Sequence, residues 1–180
     1  LGINPKKENV RGSVVLPKGL GKKVSLAVFA AGDAADAALK AGADHVGMED
    51  LVDQFKKNAL SVDLVIATPD AMRLVGQLGA LLGPKGLMPN PKDGTVSADT
   101  KAATIAAKSG KVRFRNDQGG LIHCSVGRVD FKEVDLAENI RHLVSELVRL
   151  KPSSAKGRYL KRCFISSTMG LGLQVDLETV

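Results

Sequence analysis

Between Leu78 and Val96 the chain reads Leu-Gly-Ala-Leu-Leu-Gly-Pro-Lys-Gly-Leu-Met-Pro-Asn-Pro-Lys-Asp-Gly-Thr-Val, broken by three prolines and four glycines. Proline fixes φ and carries no amide donor, and glycine opens positive φ. The composition therefore predicts a shaped loop that is neither helix nor strand. A loop so constrained loses little entropy on ordering. It holds Lys85, Asn90, Lys92 and Asp93 at fixed spacing. By composition alone, a rigid surface connector accounts for it equally well.

With 180 residues the chain can form one domain or two small ones around a buried core. It is 44% hydrophobic, with mean hydropathy near zero, the composition expected of a soluble folded protein. No apolar run approaches the ~20 residues of a membrane span. No basic stretch leads into an apolar one as a secretory signal would. Cys124 and Cys163 are too few to staple a fold and read as reduced thiols.

The net charge is +7. All of it lies at the two ends: residues 1–18 and 111–180 together hold 16 Lys/Arg against 9 Asp/Glu, whereas residues 19–110 hold 10 of each. That split predicts two domains, a basic one assembled from both termini (1–18 with 111–180) and a neutral one inserted between them (19–110). A basic half of this kind points to a polyanionic partner.

The insert alternates strand and helix. Lys23–Ala30 reads as a continuous apolar strand of the kind buried in a parallel sheet. Asp33–Lys40 is Ala-rich and helical, with Gly42 as its stop. A strand over Asp44–Gly47, a helix over Glu49–Asn58 and a strand over Asp63–Thr68 follow, and then a helix opened by Pro69 and running to Gln77. Beyond the loop, Asp99–Ser109 is helical and Gly110 ends it. The expectation is a small three-layer, Rossmann-like α/β unit.

The flanks read as α+β. A strand is expected over Gly12–Leu16, and a hairpin of Val112–Arg115 with Leu121–Val126 around Asn116–Gly120. Asp135–Leu150 carries Leu136, Ile140, Leu143, Leu147 and Leu150 on one helical stripe. Tyr159–Ser166 and Leu173–Leu177 are strands on either side of a Ser/Thr/Gly turn.

No catalytic constellation stands out. His45, His123 and His142 are scattered, no His/Cys/Asp group has metal-ligand spacing, and no Gly-x-Ser-x-Gly elbow occurs. Gly79–Lys85 has the wrong spacing for a phosphate loop, and Pro84 removes one of the amides such a loop uses. Ala30-Ala31-Gly32 lacks the dinucleotide fingerprint. No cofactor, metal or enzymatic activity is expected. An α/β enzyme or small-ligand-binding protein built on the neutral insert is the alternative.

Lys151–Arg162 carries five cations and no carboxylate. It runs into Cys163–Gly170, where Ser166, Ser167, Thr168, Met169 and Gly170 combine hydroxyls with a flexible apolar side chain and a glycine. Such a turn can meet ribose hydroxyls and admit an RNA backbone closely. Lys151, Lys156 and Arg158 flank it in sequence, and Arg113, Arg115, Lys6, Lys7 and Arg11 add phosphate-binding capacity from the same discontinuous half. With one Tyr, five Phe and no Trp, stacking of single-stranded bases is not the expected mode, and structured RNA fits better.

The pattern Gly-Pro-x-Gly-Leu-Met-Pro-x-Pro-x-x-Gly-Thr-Val, Gly83–Val96, closely resembles the signature of the large-subunit ribosomal protein one family, bacterial type. Similar matches fall at Leu1–Pro5, Asn9–Gly12, Leu16–Gly19, Ala41–Asp44, Ala67–Asp70, Phe114–Asp117, Lys156-Gly157 and Ser167–Gly170. The resemblance implies a non-enzymatic, monomeric constituent of the large ribosomal subunit, in a bacterial cytoplasm or in a mitochondrion or plastid. Its implied partner is the rRNA of the mobile exit-site stalk, contacted in part by Thr168, Met169 and Gly170. It also implies help in releasing deacylated exit-site tRNA and binding to a similar site in the leader of its own mRNA. A stand-alone translational repressor using the same surface is the runner-up. Lys85, Asn90 and Lys92 are the expected second contact to RNA or tRNA. In the family pattern a helix and strand with further RNA-contacting residues stand ahead of the position matching Leu1, and Pro follows the Met-Gly where this chain has Leu171-Gly172.

Overall fold

The computed structural model describes residues 1–5, 8–57, 60–155 and 157–177. In chain order the elements are β1 (Arg11–Val15), β2 (Leu26–Phe29), α1 (Asp33–Lys40), β3 (His45–Gly47), α2 (Glu49–Lys56), β4 (Leu64–Ala67), α3 (Met72–Gln77) and α4 (Gly79–Leu82). A 3-10 turn at Pro91–Asp93 precedes α5 (Thr100–Lys108), β5 (Lys111–Arg115), α6 (Glu133–Arg149), β6 (Cys163–Ile165) and β7 (Leu173–Val175). The chain divides into two compact units, Leu1–Gly21 with Gly110–Val180, and Lys22–Ser109.

The Lys22–Ser109 unit is built on a parallel sheet of order β3-β2-β4. β2 and β4 are buried on both faces, so their apolar residues are continuous and alternate between two layers. Ala27, Phe29, Val65 and Ala67 pack with Leu51, Val52 and Phe55 of α2, Val75 of α3, and Leu78 and Leu82. Phe29 and Phe55 stack with ring centroids 5.8 Å apart. Leu26, Val28, Leu64 and Ile66 face the other way, onto Ala38 of α1 and Ala107 of α5. The small alanines let those helices sit close to the sheet. Helix α1 stops where expected: Gly42, at φ 95°, closes onto the Leu39 carbonyl, and Ala43 bonds Ala38. Asp99 caps α5 by accepting from the Ala102 amide at 3.0 Å.

In the unit built from both termini, β1 and β5 form an antiparallel ribbon in which Arg11 faces Arg115, Ser13 faces Arg113 and Val15 faces Lys111. The alternate residues Val14, Val112 and Phe114 turn inward, with Val10 and Leu16, against Leu143 and Leu147 of α6. Burying each such side chain contributes about 1.5–3 kcal/mol. The stripe Asn139, Leu143, Leu147 is the buried face of α6. β6 and β7 make a separate antiparallel hairpin, Cys163 opposite Val175 and Ile165 opposite Leu173.

Several elements differ from the sequence reading. Pro69 lies in a turn closed by the Met72 amide on its carbonyl, and the helix starts at Met72. The Pro/Gly stretch is not all loop: Gly79–Leu82 is helical, because Leu78 and Leu82, one turn apart, are both buried against the sheet. Leu121–Val126 is not a strand. Asn116 and Ile122 form a single bridge, while Cys124 and Val126 pack into the core without a ladder. Tyr159–Ser166 shortens to β6, since Tyr159 is buried and its carbonyl accepts from Gly2. The expected end of α2 at Asn58 lies outside the described residues.

Candidate nucleic-acid interface

Hairpin β6–β7 carries residues 166–172 at its tip. Ser167 to Gly170 is a β-turn closed by the Gly170 amide on the Ser167 carbonyl at 3.4 Å. Serine first and glycine last suit such a turn. A Cβ on Gly170 would run into the Ser167 hydroxyl. Ser166, Ser167, Thr168 and Gly170 are exposed, and Met169 is 96% exposed. The turn thus presents three hydroxyls and a thioether on a short pedestal, a shape that can reach ribose hydroxyls.

At the other end of the hairpin, Arg158, Lys161, Arg162, Gln174, Val175, Asp176 and Leu177 line an open groove of about 290 Å³. Lys151 begins the basic run after α6, and its ammonium donates to the Gly157 carbonyl at 3.3 Å. Lys6, Lys7 and Lys156 lie outside the described residues.

Arg113 and Arg115 point away from the core on β5, where Lys111 shares their face and Arg11 stands opposite Arg115. Like charges directly opposed across strands are unfavourable, so an anion lying between Arg11 and Arg115 would relieve their repulsion. Two other cations of this unit are held by carboxylates. Lys18 meets both Asp135 and Glu138 at 3.3 Å, and Asp135 foremost holds its ammonium above the usual value. Arg149 binds Glu146 at 2.7 Å.

Asp117 organises the turn after β5. Its carboxylate accepts from Leu121 at 2.8 Å and Gly119 at 2.9 Å, the Leu121 bond foremost in holding its pKa below the ordinary value. Burial pushes both thiols, Cys124 and Cys163, above their usual pKa.

In the other unit, Lys85 and Lys92 are exposed on the Pro/Gly stretch. Asn90 is largely structural: its side-chain oxygen accepts from the Lys92 amide at 3.0 Å, and its backbone is tied to buried Thr95. Among the described residues, no three His, Cys, Asp or Glu side chains group as a metal site. None of their helices is long and apolar enough to cross a membrane.

The sequence-predicted residues that are described therefore fall in five places: the hairpin tip (166–170), the groove (Arg158), the ribbon (Arg113, Arg115), the segment after α6 (Lys151) and the Pro/Gly stretch. Sequence reading counted Lys161 and Arg162 as charge but could not set them in a concavity, because Gln174 and Asp176 arrive there from the opposite side of the hairpin.

The unit built from both termini thus carries an exposed hydroxyl-bearing turn together with a basic groove and a basic ribbon, groups of the kind that can contact a polyanion. Residues 1–171 match the model of the Ribosomal protein L1p/L10e family. The chain is 57% identical to the "Large ribosomal subunit protein uL1" of Pseudomonas paraeruginosa, over 100% of this chain and 79% of that one. It is 55% identical to the protein of that name from Alkalilimnicola ehrlichii and 54% to that from Legionella pneumophila, with the same coverage of 100% and 79%. The chain belongs to the ribosomal protein L1 family.

Proposed function

We propose that this chain is a non-enzymatic constituent of the large ribosomal subunit and binds large-subunit rRNA through the discontinuous unit made of both termini. The carrying observation is where the charge lies. The whole +7 excess sits in residues 1–18 and 111–180, on the unit that also presents the Ser166–Gly170 turn. The names of the bacterial relatives agree with this reading. The inserted α/β unit supplies a second contact, through Lys85 and Lys92, to tRNA leaving the exit site. A leader of the chain's own mRNA that folds like the rRNA site would be held by the same turn.

The test is titration of the whole chain with stalk rRNA and co-sedimentation with large ribosomal subunits at moderate salt. With ~5 phosphates neutralised, log K falls against log salt with a slope of roughly −3.5 to −4.5. No binding to stalk rRNA, or equal binding by residues 22–109 alone, overturns the assignment.

A further inference from the structure

Of the phenylalanines, Phe29, Phe55 and Phe114 are buried and Phe131 packs beneath Gly21 and Gly127, whereas Phe164 is 57% exposed in the middle of β6. Its register partner is Gln174, which therefore shares its face of the hairpin. Gln174 also lines the groove that holds Arg158, Lys161 and Arg162. Val175, from the other face, lines the groove as well, so the groove closes around the end of the hairpin, and Phe164 stands one register pair from it, two residues after Arg162. On the opposite face Cys163, Ile165 and Val175 are half-buried and Leu173, next to the tip, is 69% exposed, so at the base of the hairpin the more exposed face is that of Phe164 and Gln174.

The groove's charges are Arg158, Lys161 and Arg162 against the single carboxylate of Asp176, a net of +2. None of the three cations takes part in the ion pairs that neutralise Lys18 and Arg149. A concave surface with this excess beside an exposed aromatic ring has the two elements that hold unpaired nucleotides: cations for the phosphates and a π-face for a base.

Resting on the rRNA reading above, we propose that the base of the hairpin is a second RNA subsite. Lys161 and Arg162, with Arg158, clamp two successive phosphates, and Phe164 stacks one unpaired base. The subsite lies about 10 Å from the Thr168 turn, the length of a three-residue strand. The turn reads ribose, the groove holds phosphate, and the ring fixes a base that has left the duplex.

The test compares the whole chain with Lys161→Gln/Arg162→Gln, Phe164→Ala and Phe164→Tyr, titrated across salt against stalk rRNA and an unrelated structured RNA of equal length. All three positions are exposed, and thermal unfolding of each variant checks the fold. Removing two phosphate-binding cations makes the salt slope shallower by about 1.4 to 1.8, on both RNAs alike. Phe164→Ala weakens stalk binding by roughly 5- to 150-fold with the slope unchanged, and Phe164→Tyr restores it.

A double variant with the parent slope overturns the clamp, and so does a loss confined to stalk rRNA. Phe164→Ala binding like the parent overturns the stacked base. Inorganic pyrophosphate bound at micromolar concentration without RNA, with no RNA effect of the double variant, makes the groove a free-anion site and overturns the proposal. If the parent chain itself fails to bind stalk rRNA, the functional reading beneath the proposal falls with it.

Discussion

Asn139, with no exposed surface, donates its side-chain amide to the Gly19 carbonyl at 3.1 Å. The same side chain accepts from the Lys18 amide at 3.1 Å and donates to the Val126 carbonyl at 2.8 Å. One amide on the apolar stripe of α6 thus binds the segment leaving β1 and the segment entering α6. Lys18 repeats the attachment from outside through Asp135 and Glu138.

Replacing Asn139 by Leu keeps the branched shape of the side chain and strands three backbone groups. A buried polar group left unpaired costs about 1–3 kcal/mol, so the expected loss is about 3 kcal/mol after relaxation. Glu138→Gln, one residue away, removes an exposed and screened ion pair and should cost only a small fraction of that. Chemical unfolding of both variants, followed on resonances of the terminal unit, checks the difference. Equal losses would mean that the amide is no anchor.

For RNA, Thr168→Val and Met169→Asp should weaken stalk binding far more than Lys85→Ala. A ribose hydroxyl left without its partner in a desolvated interface costs about 1–3 kcal/mol, or roughly 5- to 150-fold. Lys85 stands on an exposed loop, where a single charge is screened. Titration of the three variants decides it, with unfolding curves to verify folding. Equal losses would reduce the Ser167–Gly170 turn to a structural role.

What the sequence disclosed was set by local chemistry. Helix α1 was legible to the residue, because an alanine-rich run with acids in its first turn ends at a glycine. Helix α6 was legible through its leucine stripe, but the fully buried line is Asn139, Leu143 and Leu147, and a polar Asn139 within the stripe is invisible to a hydrophobic pattern. Pairing was harder to read. Leu121–Val126 has a strand-like composition, yet its apolar residues enter the core singly, and composition cannot reveal whether a ladder partner is present. The hairpin turn was readable as chemistry because its residues are contiguous. The groove was not, since its two sides come from separate stretches of chain.

Gly110 and Gly32 separate two costs that both look like positive φ. Gly110 sits at φ 95°, and a Cβ there would fall 2.5 Å from the Gly19 Cα and 2.8 Å from the Leu20 amide nitrogen. Gly32 sits at φ 56° with nothing within 4 Å. Gly32→Ala should therefore cost only the backbone term, about 1 kcal/mol. Gly110→Ala adds a backbone collision and should cost at least twice that. Thermal unfolding of the unit holding each site measures both. Equal costs would show that the β1 segment yields freely at Gly19.

The acid limb of stability should carry the signature of Asp63 and Asp117. The Lys22 ammonium at 2.6 Å, with the Ser25 amide, holds the Asp63 carboxyl below its ordinary value of 3.8. The Leu121 and Gly119 amides do the same for Asp117, also from 3.8. A carboxyl whose pKa is lower folded than unfolded binds its proton more readily in the unfolded chain. Its stabilisation is therefore fully present above the unfolded value and disappears as pH falls through the lowered folded one. Asp63→Asn and Asp117→Asn should thus narrow the stability gap to the parent as pH drops from about 5 toward 2. At pH 7 the parent should be the more stable protein. Carboxyl titration by NMR reads the two folded values directly, and a midpoint at or above 3.8 for either residue removes its share of the effect.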